Sequence, residues 1–228
     1  MLTHIGSSLI LSNKIVAIDK DTKALFHLND HAVSTNSIFP NMNAYDTRSD
    51  GKFGNAIAMD GTMFIQYGNN NEKIVSLLTG TISFWFKFDS FNTDGTFFRL
   101  RQAPTAEMTY SKDKIITWKP YGATDSIYFQ TLKNVGDFAY YTLTWDNNGN
   151  CSIYEDGNLK ISKAITADKS GTYDDNIYIG NTSDQGTVGA IGLYNELKFD
   201  GIVRTRDEIL QWYLSDAPFH DSNEIITI

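Results

Sequence analysis

The chain has one cysteine, Cys151, among 228 residues, which excludes an internal disulfide and any metal site built on a cysteine cluster. Stability therefore has to come from packing. It has only 4 prolines, and no Pro-rich, Ser-rich or charged stretch divides it, so a single domain is expected. Basic residues are outnumbered: 19 Lys and Arg stand against 27 Asp and Glu, a net charge of −8 with a pI near 4.9. Such a surface repels phosphate backbones and anionic membranes, which excludes nucleic acid as a partner class. Long apolar runs are missing, and no stretch approaches the length of a membrane span, so no membrane insertion is expected. The N-terminal "MLTHIGSSLILSNK" lacks a basic n-region, and "SLIL" is too short for the apolar region of a signal peptide. Read with Met1 as its start, the protein is expected to be made and left in a cytoplasm, unless it leaves by lysis or inside a particle. Helical periodicity is nearly absent as well, and no repeat recurs at a fixed period.

What is present is aromatic side chain and alternation. Tyr, Phe and Trp make up 13% of the residues, the types that pleated sheets favour. In "TISFWFKFD", Ile82, Phe84, Phe86 and Phe88 alternate with Thr81, Ser83, Trp85, Lys87 and Asp89, the period of a half-buried strand. The Phe face is expected inside, with Trp85 and Lys87 pointing away. In "FAYYTLTW", Tyr141, Leu143 and Trp145 share one face, and Tyr140, Thr142 and Thr144 the other. Asp156-Gly157 in "CSIYEDGNLKIS" marks a tight hairpin, because both central positions of a type I′ turn need positive φ. "NIYIGN" and "VGAIGLYNELKF" supply two more strands. "NEKIVSLL" fits a helical turn or two, a strand or a loop equally.

Near the C-terminus the pattern changes. Thr205-Arg206-Asp207-Glu208 fits a capping box, in which the Thr hydroxyl takes an orphan amide of the first turn and the Glu reaches back. Ile209, Trp212 and Tyr213 follow at helical spacing, and Pro218 ends the pattern by Ala217. A short amphipathic helix is predicted to fold back onto the strands.

"NELKFDGIVRTRDEILQWY" resembles the closing strand and helix of the laminin-G-like, concanavalin A-like jelly rolls. "KALFHLND", "GKFGNAIAMDGTMFIQY" with its Asp60-Gly61 turn, "GTISFWFKFD" and "YYTLTWDNNGNCSIYEDGNLKIS" fall in that family's order, so the resemblance covers about Lys23 to Tyr213. It implies an all-β fold, a two-sheet antiparallel jelly-roll sandwich with a short C-terminal helix. Residues 1–22 would form an N-terminal arm, 23–214 the jelly-roll domain and 215–228 a C-terminal tail. "RTRDEILQWYLSDAPFHD" is similar to modules of bacteriophage tail and minor structural proteins, which implies a virion component. Its partners would be other virion proteins and cell-surface glycans, and it could assemble as a homo-oligomer, although no heptad or other symmetric interface signal is present.

Catalysis is not expected. Glucan-cutting members of the superfamily carry carboxylates at alternate positions of one strand, beside the scissile bond. No such run exists here: Glu155 and Asp156 are adjacent, hence on opposite faces, and Glu196 and Asp200 share a parity without a third member. His27 and His31 read as strand into turn rather than as a zinc pair. Cys151 lacks a paired His and reads as a small core hydrophobe. No cofactor is required. The resemblance implies a structural Ca²⁺ at the sandwich rim, and the positions matching its acidic turns are Asn29, Asp30, Asn195 and Glu196. The competing reading, favoured, is that these turn residues satisfy backbone amides.

For sugar binding the useful groups are aromatic faces flanked by hydrogen-bonding side chains. Trp85 and Tyr140 lie on the outer parity of their strands, and Trp118 and Tyr121 stand near Asp125. The competing reading is that core, a partner or the terminal arms cover them. The sequence thus points to a non-enzymatic virion module for assembly or host attachment, with a free carbohydrate-binding module or degenerate glycosidase as the alternative.

Overall fold

The computed structural model describes residues 20–28, 42–68, 74–76, 78–103, 105–120, 123, 125–166, 172–182 and 188–215. The terminal arm up to residue 19, the tail beyond Ser215, and Asn29, Asp30, His31 and Tyr121 lie outside them.

The first strands are β1 (Thr22–Phe26), β2 (Met42–Ala44), β3 (Asp46–Gly51), β4 (Gly54–Asp60) and β5 (Phe64–Gly68). They are followed by β6 (Gly80–Phe88), β7 (Gly95–Ala103), β8 (Ala106–Tyr110), β9 (Ile115–Lys119) and β10 (Ile127–Gln130). The chain closes with β11 (Phe138–Trp145), β12 (Asn150–Glu155), β13 (Asn158–Ala164), β14 (Thr172–Ile179), β15 (Ile191–Asp200) and α1 (Arg206–Ser215). Two antiparallel sheets result. One runs β13-β12-β11-β6-β15-β4-β3, with β1 also on β15; the other runs β10-β9-β8-β7-β14-β5-β2. This is the two-layer sandwich that the resemblance to the jelly rolls implies.

The alternating Phe face of β6 builds the core between the layers. Phe84, Phe86 and Phe88 are fully buried, and Phe86 meets Tyr194 of β15 and Phe97 of β7 at centroid distances of 4.8 and 4.9 Å. Phe97 and Phe98, adjacent in sequence, both enter this core, because a register shift in the β7–β8 pairing between Thr96 and Phe98 breaks the strict alternation, as a β-bulge does. Cys151 lies in the same core.

β15 exchanges partners along its length. Its first half pairs with β4 through Ile191–Tyr194, and its second half with β1 through Leu197–Asp200. Asn195 and Glu196 fill the gap between the two, where the pairing with β6 also shifts register and Glu196 adopts a φ of 52°. The chain then reaches α1, whose capping box forms as predicted. The Glu208 amide donates to Thr205 Oγ1 at 3.3 Å, and the Thr205 amide donates to Glu208 Oε2 at 2.8 Å. Among the described residues no helix is long and apolar enough to cross a membrane.

Candidate functional site

α1 lies against the outer face of the β6-containing sheet, and a short polar system holds it there. Lys198 and Asp200 of β15 point to that face and are buried, as is Arg204 just before the helix. Asp200 Oδ1 accepts from Arg204 at 2.9 Å and Thr22 Oγ1 at 2.8 Å, and Lys198 Nζ lies 3.2 Å from it. Trp212 closes over these cations, with Lys198 Nζ 3.5 Å and the Arg204 guanidinium 5.3 Å from its ring. A buried cation is costly unless paired; here Asp200 and the Trp212 face serve both cations, and Glu208 adds a second carboxylate 3.3 Å from Arg204.

The next residue, Tyr213, reaches the outward aromatics. Trp85, Tyr140 and Leu25 form a second apolar cluster packed by Phe53, Phe138, Trp212 and Tyr213. Trp85 and Tyr140 therefore do face away from the main core, as their parity predicts, but they are only 4% and 0% exposed. Burial also raises the Tyr140 hydroxyl well above the usual phenol range, partly offset by hydrogen bonding with Ser83 and Thr142. The expectation that these two rings form an open platform does not fit this arrangement: the helix occupies the face that would have been open. Trp118, 1% exposed, belongs to the main core on the other sheet and packs on Phe98 and Trp145. It does not sit outward at all, because β9 turns its Ile116 and Trp118 side inward. Asp125 is exposed and pairs with Lys163, which with its own adjacent Ser126 amide lowers its carboxyl pKa. The structure thus brings Trp85 and Tyr140 together and leaves Trp118 and Asp125 elsewhere.

Beside the cluster lies a cavity of about 330 Å³, lined by Lys52, Trp85, Lys133, Phe138, Asp156, Tyr213 and Leu214. Of its aromatic lining, Trp85 is buried and Phe138 and Tyr213 are partly exposed. Lys52, in the β3–β4 turn, holds its ammonium 4.7 Å from the Trp85 ring, a cation–π contact. Lys133 Nζ donates to the Phe138 carbonyl at 2.8 Å and lies 2.5 Å from Asp156 Oδ2. Asp156 is placed by the β12–β13 hairpin, where it and Gly157 take φ of 53° and 72°, the positive values predicted for this Asp-Gly turn. Its Oδ1 also accepts from the Tyr140 amide at 3.0 Å. Next to the cavity Lys87 pairs with Asp50 at 2.5 Å and stands 5.7 Å from the Phe138 ring. Of these lining residues only Trp85 is a ligand-binding candidate from sequence; Asp156 and Tyr213 are read there as a turn residue and a helix-face residue. Phe138 carries the same outward parity as Tyr140 and could have been found by extending that strand; Lys52 and Lys133 sit in turns, where no periodicity marks them.

Of the four rim positions matched to calcium, Asn29 and Asp30 lie outside the described residues, and Asn195 and Glu196 have other contacts. Asn195 Oδ1 accepts from the Lys52 amide at 2.7 Å, and its amide nitrogen donates to the Asn55 carbonyl at 2.8 Å, so Asn195 fastens the β3–β4 turn. Glu196 Oε1 lies 3.0 Å from His27 Nδ1. Among the described residues no three His, Cys, Asp or Glu side chains converge as a metal site. The carboxylates also stay apart. Glu155 points inward, hydrogen-bonded by Thr131 and by Tyr141 at 3.2 Å and paired with Lys160 at 3.3 Å, while Asp156 faces the cavity.

A family model described as the concanavalin A-like lectin/glucanases superfamily matches residues 64–210. The chain belongs to this superfamily. Solved structures share its fold. The receptor-binding domain of a botulinum neurotoxin C/D mosaic serotype superposes with a TM-score of 0.68 at 15% identity, covering 86% of this chain and 52% of that one. The binding domain of botulinum neurotoxin serotype G gives 0.67 at 15% identity, covering 85% and 50%. At such identities the likeness is one of fold, and this superfamily member spans about half the length of those chains. No curated protein sequence matches it.

Proposed function

We propose that the chain is a non-enzymatic carbohydrate-binding module of a bacteriophage virion, a tail or other exposed component serving assembly or host attachment, with the cavity at Trp85 as its sugar site. The observation that carries this reading is the composition of that cavity. Partly exposed Phe138 and Tyr213 stand beside Lys52, Lys133 and Asp156 in a volume of about 330 Å³, the mixture of flat apolar faces and a few fixed polar groups that small-ligand sites use. Fold alone does not assign function. The superfamily nevertheless includes lectins by its own description, and the neurotoxin domains sharing the fold are described as receptor-binding. The virion role is supported by the resemblance of "RTRDEILQWYLSDAPFHD", Arg204 to Asp221, to modules of phage tail and minor structural proteins. Other virion proteins would then cover part of its surface.

A glycan array probed with the purified chain tests the sugar reading: retention on no glycan would end it. Mass spectrometry of purified virions tests the location, since the alternative, a free carbohydrate-binding module or degenerate glycosidase, predicts its absence there. Release of reducing ends from a common polysaccharide, abolished by one carboxylate substitution, would overturn the non-enzymatic assignment.

A further inference from the structure

We propose that the cavity at Trp85 reads a vicinal diol on one pyranose ring, Lys133 donating to one hydroxyl oxygen and Asp156 accepting from the adjacent hydroxyl. The inference rests on the sugar-binding reading above and adds the feature of the sugar that is recognised.

The ion pair of Lys133 and Asp156 carries it, as a pair. Nζ and Oδ2 lie 2.5 Å apart and the two side chains are 20% and 21% exposed, so a donor and an acceptor stand side by side in the cavity lining. Pairing does not exhaust them. An ammonium has three protons, and each carboxylate oxygen has two lone pairs. Lys133 directs one proton to the Phe138 carbonyl at 2.8 Å and one to Asp156, which leaves one. Asp156 Oδ1 accepts from the Tyr140 amide at 3.0 Å and Oδ2 from Lys133, which leaves each oxygen one lone pair. Main chain holds both groups in place: Asp156 sits in the hairpin turn at a φ of 53°, and Lys133 is fastened to the Phe138 carbonyl, so little side-chain freedom is lost when a ligand binds. Gauche hydroxyls on neighbouring ring carbons stand about one hydrogen-bond length apart, which matches this donor and acceptor. One hydroxyl oxygen then accepts from Lys133 while its neighbour donates to Asp156, and both bonds are charge-assisted. The two charges cancel within the pair, so this arrangement suits a hydroxylated ring rather than an ion. Partly exposed Phe138 and Tyr213 supply flat faces for the ring C–H groups.

The test is NMR titration of the isotope-labelled full chain with the methyl α-glycosides of glucose, mannose and galactose, which present three arrangements of the ring hydroxyls, and with the monodeoxy derivatives of the tightest binder. At least one glycoside is expected to shift the Lys133 and Tyr213 amide signals. Two monodeoxy derivatives, lacking hydroxyls on neighbouring carbons, should bind about tenfold more weakly than their parent. Lys133→Met and Asp156→Asn should each weaken the parent sugar about tenfold; Asn tolerates the positive φ of this position, and unfolding curves confirm that each variant is folded. Each substitution should have no further effect on the derivative that lacks the hydroxyl it contacts, a pairing that a merely structural role would not produce. A loss spread over non-adjacent hydroxyls overturns the diol reading. So does binding that Phe138→Ala weakens while Lys133→Met and Asp156→Asn leave it intact, a result that keeps the cavity as the sugar site. Failure of all three glycosides overturns the diol reading, and failure across the glycan array as well ends both.

Discussion

The ring of Tyr213, in the last turn of α1, stacks on Trp85 of β6 with centroids 5.8 Å apart and planes 30° from parallel. One aromatic pair therefore couples the helix to the sheet and lines the cavity with both of its rings. Tyr213→Ala should cost about 2 kcal/mol in urea unfolding, the value of a partly buried aromatic and its ring contact. It should also shift tryptophan emission to the red as Trp85 becomes hydrated, and weaken sugar binding. Unchanged emission would show that the helix does not shield Trp85.

Gly157 ties the β12–β13 hairpin to the same helix. It has a φ of 72°, and a Cβ placed there would lie 2.9 Å from Leu210 Cδ1 and 3.1 Å from its Cα. Gly157→Ala should therefore cost about 1–3 kcal/mol. Because Asp156 moves with the turn, it should also alter chemical shifts at Lys133 and Tyr213. Thr205→Ala acts on the other end of the helix, removing the hydroxyl that caps Glu208, and should cost about 1 kcal/mol without reaching the cavity.

How far the sequence discloses the site follows from what periodicity encodes. Alternation in β6 and β11 places Phe84, Phe86, Tyr141 and Leu143 inside and Trp85 and Tyr140 outside, and the capping box at Thr205 marks the start of α1; each of these holds. Alternation assigns a side chain to a face and says nothing of what lies over that face. Trp85 and Tyr140 therefore read equally as an exposed platform or a covered one, and the helix that decides between them is 120 residues along the chain from Trp85, at about Thr205. Trp118 had no long alternating run around it, since β9 is only five residues, and its side was not legible. The lysines of the cavity come from turns brought together by the sheet order, which no local pattern records.

Asn195 illustrates the same limit at the rim. Its place in an Asn-Glu pair resembles a calcium position, yet its side chain spans the β3–β4 turn, from the Lys52 amide to the Asn55 carbonyl, and it is fully buried. Asn195→Ala should cost about 1–3 kcal/mol, the penalty of stranding buried polar groups, and should loosen Lys52 at the cavity. EDTA should leave the melting temperature of the wild-type chain unchanged. A drop restored by Ca²⁺ would mean that rim carboxylates do hold the ion.

Asp50 makes the cavity's surroundings pH-sensitive in a defined direction. Its hydrogen bond from Arg48, then that from Lys87, lowers its carboxyl from an ordinary 3.8 to about 2. The folded state thus favours the ionised form, so this contribution to stability is complete above the unfolded value of about 4. It is lost as pH falls through about 2, when the folded carboxyl takes up its proton. Asp50 is 47% exposed, so solvent screens the pair and the effect is small, but it joins β3 at the sheet edge to Lys87 of β6. Between pH 5 and pH 2 the wild-type melting temperature should fall further than that of Asp50→Asn, whose amide does not titrate. Equal falls in the two proteins would show that this pair contributes nothing to acid sensitivity, and that Lys87 is held beside Phe138 by packing alone.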